Sequence, residues 1–319
     1  MSRTVLGIDL GGTNTVLALV NPRGEILAGG QVKTCGHHDF AAFVNELLRE
    51  TRRMVADSGA PYPAAVGVGA PAANIMTGTI DRTANLPWEP PILLAAQIGE
   101  VFGVPVAVGN DANAAALGEM TYGAARGMRD FIMITLGTGV GSGVVCDGNL
   151  LSGREGMAGE LGHIIIRRGG RSCGCGRNGC LETYTSARGV ARTAVEMLNK
   201  DPERPSILRQ VAPEDMTSLH VYQAAMASDS LALEVFEFTG RVLGEALADF
   251  AAFTSPKAFV LFGGLAQSGE MLLKPLKKAF EENLLFLHAD GRIKILLSQL
   301  PQAQAAVLGA SALAWQKLG

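Results

Sequence analysis

Short apolar runs alternate with glycine-rich breaks through the first third of the chain. Residues 4–10 are a β-branched, apolar run that carries one acid, Asp9, near its end. Gly11, Gly12, Thr13 and Asn14 interrupt it, and residues 15–20 form a second apolar run. The turn signal Asn21-Pro22-Arg23-Gly24 leads into a third strand over 25–31. Strand, glycine turn, strand, turn, strand reads as an antiparallel meander. Helical spacing begins after Asp39, an N-cap candidate. Phe40, Phe43, Val44, Leu47, Leu48, Met54 and Val55 then mark the apolar stripe of a helix over 40–57. A buried strand over 64–68 is broken by Gly69-Ala70-Pro71-Ala72. A loop over 83–88 precedes a helix over 91–102, with Pro91 in its first turn. A strand over 104–108 ends at Gly109, Asn110 and Asp111, and a helix over 113–122 follows. Asp111 therefore lies at a strand-to-helix crossover, where open α/β sheets bind ligands.

The pattern then restarts. A strand over 131–135 meets the turn Gly137-Thr138-Gly139-Val140-Gly141-Ser142-Gly143, and a returning strand over 144–147 ends in a hairpin at Asp147-Gly148-Asn149. The two strand–glycine turn–strand elements imply a duplicated α/β unit, with two lobes each offering one glycine turn to a cleft between them. Beyond it the spacing predicts a short strand over 161–166 with Glu160 and His163 at its start, and helices over 183–198, 219–227, 231–253 and 269–283. Strands over 258–261 and 293–297 and an Ala-rich terminal helix over 304–318 complete the reading, with a polar excursion over 199–218. No long disordered linker is evident.

Composition narrows the classes. The chain has 319 residues, 48% apolar and 18% charged, enough for two domains and a sizeable core. A net charge of −3 without a basic patch gives no electrostatic case for nucleic acid. No apolar run approaches the ~18 residues of a membrane span. The start, MSRTVLGIDLGGTN, has an acid and glycines where a signal peptide is apolar, so a cytosolic protein is expected.

The candidate chemistry begins in the segment GHIIIRRGGRSCGCGRNGCLE. His163, Cys173, Cys175 and Cys180 are the donor set of a closed tetrahedral zinc site. Three cysteines in eight residues could also be small buried hydrophobes or part of a disulfide. Gly and Arg surround them and nothing supports export, so a structural zinc loop is the better reading. The first glycine turn is neither a dinucleotide fingerprint nor a Walker loop. Two such turns at equivalent places make backbone nests for phosphate oxygens. Asp9 could position hydrated magnesium or simply end a strand. Asp111 has the place of a general base for phosphoryl transfer; the competing reading of Asn110-Asp111-Ala112-Asn113 is a helix cap. Asn85, Asn110, Glu160, His163 and Glu182 suit a polyhydroxylated ligand, although each alone could be structural. His163 could bind metal and ligand through its two nitrogens.

Taken in order, IDLGGTN, GNDANAAALGE, TLGTGVGSG, GELGH, CGCGRNGCLE and LFGGLA resemble the ROK family (repressor, open reading frame, kinase) of the actin-like sugar-kinase superfamily. The resemblance covers nearly the whole chain, and GELGH followed by CGCGRNGCLE is its most specific part. It implies an α/β fold of two actin-like, ribonuclease H-like lobes with a cleft between them and a zinc-stabilised loop in the C-terminal lobe. The expected division is 1–117, joined by the terminal helix 304–319, and 118–303. The implied activity is ATP-dependent phosphorylation of a hexose 6-hydroxyl, glucose first, with N-acetylmannosamine, N-acetylglucosamine, fructose or allose as alternatives. Asp111 matches the family's catalytic base. Asn85, Asn110, Asp111, Glu160, His163 and Glu182 match its sugar contacts. Asp9, Gly11, Gly12, Thr13 and Asn14 match the first phosphate motif, and Gly137, Thr138 and Gly139 the second. Gly263 and Gly264 match the segment near the adenosine. His163, Cys173, Cys175 and Cys180 match the zinc ligands. ATP, Mg2+ and structural Zn2+ are the implied cofactors, and a homodimer or homotetramer the implied assembly. The family also includes sugar-responsive repressors with an added N-terminal DNA-binding domain; a first strand at Thr4 leaves no room for one here. The chain departs from the family at Pro71-Ala72, where Pro-Gly is common, and at Ala73-Asn74, where an acid is frequent. Ala72 adds a methyl group near the expected sugar pocket.

Overall fold

A computed structural model describes residues 3–82, 86–288 and 291–318. The chain runs β1 (Val5–Leu10), β2 (Asn14–Val20), β3 (Ile26–Lys33), α1 (Phe40–Ser58), β4 (Val66–Gly69), β5 (Ala73–Asn74), β6 (Thr79–Ile80), α2 (Leu94–Phe102), β7 (Val106–Gly109) and α3 (Asp111–Tyr122). It continues through β8 (Phe131–Leu136), β9 (Val140–Cys146), β10 (Asn149–Leu150), α4 (Glu182–Thr185), α5 (Ala187–Lys200), α6 (Ser218–Met226) and α7 (Ser230–Thr254). It closes with β11 (Ala258–Phe262), α8 (Glu270–Asn283), β12 (Lys294–Leu297) and α9 (Ala305–Leu318). The fold is α/β with mixed sheets.

The predicted meander is present: β1 pairs antiparallel with β2, and β2 with β3. β4 adds to β1 in parallel, and β7 to β4. The first sheet thus has the order β3-β2-β1-β4-β7, and the second has the order β10-β9-β8-β11-β12. Strand for strand the two orders are the same, as a duplicated unit requires. In the second sheet β10 pairs antiparallel with β9, while β8, β11 and β12 run parallel.

Two compact units result. One comprises Met1–Arg129, Gly143–Gly159 and Ser298–Gly319; the other comprises Asp130–Ser142 and Glu160–Leu297. In the first, the stripe of α1 packs on the sheet, and Phe40 and Phe43 meet Trp88 at ring-centroid distances of 5.0 and 4.7 Å. The Ala-rich α9 belongs to this unit and lies on β1, β4, β7 and α3. It can do so because the strands present glycine to it: a Cβ at Gly67 would stand 1.8 Å from the Ala310 carbonyl oxygen. In the second unit α5, α7 and α8 form the helical layer. Among the described residues no helix is long and apolar enough to cross a membrane.

Four elements differ from the sequence reading. The helix expected over 91–102 begins only at Leu94, because Ile92 exchanges both backbone hydrogen bonds with Ile80, at 3.0 Å each, and stays extended. The helix expected over 183–198 is two helices: Ser186 is extended and its Oγ caps α5 by accepting the Gly189 N–H at 3.0 Å. The strand expected over 161–166 is a 3-10 turn, Leu161–His163, followed by a single bridge between Ile165 and Cys180. The polar excursion over 199–218 contains two further 3-10 turns, Ile207–Gln210 and Pro213–Asp215.

Candidate active site

The site residues fall into two groups, one in each unit. In the first unit β1 brings Asp9 to the lip of the first glycine turn. β7 ends at Gly109, and Asn110 caps α3, its Oδ1 accepting the Asn113 N–H at 2.7 Å. The cap reading of Asn110 is therefore correct, and it places Asp111 in the first turn of α3. That position alone favours an ionised carboxylate. Desolvation outweighs it: solvent still reaches Asp111, but protein crowds it enough to push its pKa up to about 6, with the charge of Asp9 as the second cause. Burial raises Asp9 as well. Two carboxylates whose charges oppose each other are a site for a proton or a cation.

The first turn is fastened from the end of β3, which sequence reasoning missed. Thr34 donates its N–H to the Thr13 carbonyl at 2.9 Å and its hydroxyl to the Gly11 carbonyl at 2.7 Å. The Thr15 hydroxyl in turn reaches Thr34 Oγ1 at 2.9 Å, both residues being fully buried. The Cys35 thiol points at the Gly12 carbonyl at 3.3 Å. No local signal marks Thr34; only the pairing of Asn14 with Lys33 puts it beside the turn. Thr13 and Asn14 are left exposed. Asn85 lies outside the described residues.

Ala72 and Asn74, singled out in the sequence, fall in this unit. Ala72 has φ 55°, the left-handed region that glycine prefers, so the backbone keeps a glycine-like course and carries an exposed methyl group. Asn74 is buried and structural: its Oδ1 accepts the Met76 N–H at 2.9 Å and its Nδ2 donates to the Glu155 carbonyl at 2.9 Å.

In the second unit the turn of Gly137, Thr138 and Gly139 joins β8 to β9. The Thr135 hydroxyl accepts the Gly141 N–H at 3.0 Å across it. Glu160 is exposed at the head of the 3-10 turn, and His163 is half-buried at its end. The Ser142 Oγ accepts the Leu161 N–H at 3.0 Å. Gly162 allows this close approach: a Cβ there would stand 2.0 Å from the Val140 carbonyl oxygen.

His163, Cys173, Cys175 and Cys180 converge, their ligand atoms all within 4.8 Å of one another. Cys173 Sγ lies 3.6 Å from His163 Nδ1, and the Cys175 and Cys180 sulfurs are 3.6 Å apart. A tetrahedron with bonds of ~2.1–2.3 Å has edges of ~3.4–3.8 Å; the two separations of 3.6 Å have that length, and the four donors together could hold a metal ion. Bonded sulfurs would be ~2.05 Å apart, which excludes a disulfide in this arrangement. Arg177 lowers the Cys175 thiol to about 6, while burial raises Cys173 and Cys180. The loop is tied down by Arg171, a second residue the sequence reading passed over. Buried beside Tyr184 with its guanidinium 4.5 Å from the ring centroid, Arg171 donates to the Thr183 carbonyl at 2.8 Å, to Thr193 Oγ1 at 2.9 Å and to Glu196. Its pull on Thr183 holds the start of α4, which carries Glu182.

Gly263 has φ 106° and its Cβ would stand 2.5 Å from the Leu136 carbonyl oxygen, so this break needs glycine. Gly264 lines a cavity of about 340 Å³ with Leu219, Tyr222, Leu265 and Gln267.

Residues 5–317 match the ROK family. The chain is 38% identical over 293 residues to the glucokinase of Halalkalibacterium halodurans, covering 91% of this chain and 88% of that protein. Among solved structures it resembles a ROK family glucokinase from Streptomyces griseus in complex with glucose and AMPPNP, with 34% identity, a TM-score of 0.77, and 98% and 99% of the two chains covered. It also resembles a ROK family transcriptional regulator, a homologue of the E. coli MLC protein, with 27% identity and a TM-score of 0.83, covering 98% of this chain and 78% of the regulator.

Proposed function

From the premise that the chain belongs to the ROK family, we propose that it is an ATP-dependent hexose kinase that phosphorylates the 6-hydroxyl, with glucose as its preferred acceptor. The observation that carries this reading is the Asp9–Asp111 pair: a carboxyl held at about 6 at the start of α3, beside a glycine turn and a second acid. Such a carboxylate is ionised at neutral pH yet basic enough to accept a proton. Asp111 takes the proton of the 6-hydroxyl as that oxygen attacks the γ-phosphorus; the phosphorus–oxygen bond to ADP breaks and ADP leaves. Asn110, Glu160, His163 and Glu182, with Asn85, hold the sugar hydroxyls. Gly11 to Asn14 and Gly137 to Gly139 cradle the phosphates. The cavity beside Gly264 takes the adenosine, with Tyr222 and Leu219 as its apolar wall.

Asp9 would hold magnesium, which would supply charge neutralisation to the phosphates. His163, Cys173, Cys175 and Cys180 would hold zinc, which would supply rigidity to the loop rather than chemistry. With His163 Nδ1 turned to the cluster, the other ring nitrogen serves the sugar. A cytoplasmic homodimer or homotetramer completes the proposal, on the family resemblance.

The test is ADP release with ATP and magnesium across glucose, mannose, fructose, allose, N-acetylglucosamine and N-acetylmannosamine. Glucose should give the highest kcat/KM. An N-acetyl sugar in first place would reassign the acceptor and leave the reaction standing. No turnover with any sugar in zinc-loaded protein would overturn the kinase reading in favour of a sugar-responsive regulator.

A further inference from the structure

The zinc loop and the second glycine turn meet at one carboxylate. Glu182 begins α4 two residues after Cys180. Its Oε2 accepts the Val140 N–H at 2.9 Å, where the turn of Gly137, Thr138 and Gly139 enters β9. Its Oε1 lies 3.9 Å from Cys173 Sγ. Gly139 leaves the space for this contact. A Cβ there would stand 2.4 Å from Glu182 Oε2 and 3.4 Å from Cδ, with no other atom within 4 Å. Neither Gly139 nor Gly137 has a positive φ, so the backbone at both accepts an L side chain. Around Gly137, in the same turn, a Cβ would meet nothing within 4 Å.

We propose that Glu182 is a positioning residue for the phosphate turn as well as a sugar contact, so that a single carboxylate couples hexose binding to nucleotide binding. The inference rests on the reading of Glu182 as a sugar contact. A carboxylate offers about four lone-pair sites. The Val140 N–H occupies one, and sugar hydroxyls take others. Whatever orients the carboxylate for one partner orients it for the other, and the coupling is reciprocal. Gly139 then belongs functionally to the sugar site although it sits in the phosphate turn.

Three variants of the full chain separate the possibilities, with zinc content measured in each. Gly139→Ala pushes the carboxylate aside and should weaken glucose binding, read by calorimetry without nucleotide, by about tenfold, within the usual span of site-to-site coupling. Gly137→Ala adds the same methyl group to the same turn away from Glu182, and should leave glucose affinity within about twofold while raising KM for ATP. Glu182→Asp keeps the charge but draws it back by one carbon; the KM for ATP at saturating glucose should rise, which a carboxylate serving sugar alone would not cause. Unchanged glucose affinity in Gly139→Ala, an equal loss in Gly137→Ala, or an unmoved KM for ATP in Glu182→Asp overturns the coupling. Glucose binding of wild-type strength in Glu182→Gln would instead overturn the underlying reading of Glu182 as a sugar contact.

Discussion

In the proposed mechanism the ionisation of Asp111 sets the pH range of the reaction. Its carboxyl is displaced from 3.8 to about 6, by desolvation first and by Asp9 second. A pKa of about 6 leaves it about 97% ionised at pH 7.5, about half at pH 6 and about a tenth at pH 5. An aspartate at its ordinary value would still be about 94% ionised at pH 5. With ADP measured directly, so that no coupling enzyme titrates, kcat/KM should fall with unit slope below about pH 6. Asp9→Asn removes the smaller cause and should move the acid limb to lower pH by less than half of the full displacement. Asp111→Asn should cost about 10²–10⁴ in kcat while retaining sugar binding. The same displacement has a stability sign. A carboxyl whose pKa is raised in the folded state binds its proton more tightly there, so ionisation destabilises the fold. The penalty is absent below about pH 4, grows as pH rises through about 6 and is complete above it. At ~1.36 kcal/mol per unit, 2.2 units give about 3 kcal/mol before screening, and the exposure of Asp111 reduces this to about 1 kcal/mol. Asp111→Asn should therefore be more stable than the wild type at pH 7.5, with the difference vanishing in acid. A flat kcat/KM between pH 8 and pH 5, or full turnover in Asp111→Asn, would refute the assignment.

The other predictions follow from single contacts. Ala72→Gly relieves a left-handed alanine, and should raise the thermal midpoint by about 2 °C, equivalent to about 1 kcal/mol; a lower midpoint would show that the φ of 55° carries no strain. Thr34→Val keeps the volume but removes the hydroxyl that fastens Gly11 and orphans Thr15; it should cost about 1–3 kcal/mol and raise KM for ATP with glucose affinity unmoved. A matched rise in the glucose Kd would place Thr34 outside the phosphate turn's support. Cys175→Ser should abolish stoichiometric zinc, measured by elemental analysis, and weaken glucose binding through His163 and Glu182; full affinity without metal would make the loop dispensable.

The sequence by itself determined the features whose causes are local. β-branched runs punctuated by glycine specify the strand–turn–strand elements, and their recurrence foretold two sheets of one order. The stripe of α1, its Asp39 cap and the crossover at Asp111 were likewise legible, since each depends on neighbours within a few residues. So was the convergence of His163 with Cys173, Cys175 and Cys180, because three of these four residues lie within eight positions of each other. What the tertiary structure alone decided depends on partners far along the chain. Ile92 stays extended because Ile80 claims its backbone, and 161–166 becomes a turn where Ser142 and Gly162 let it close on β9. Thr34 holds the first glycine turn from 23 positions away, and Glu182 holds the second from 42. Hydrophobic period and turn chemistry report what a residue does to its own segment. They carry no record of which distant carbonyl or amide a buried polar group must satisfy, and that matching is settled only when the sheets and helices have packed.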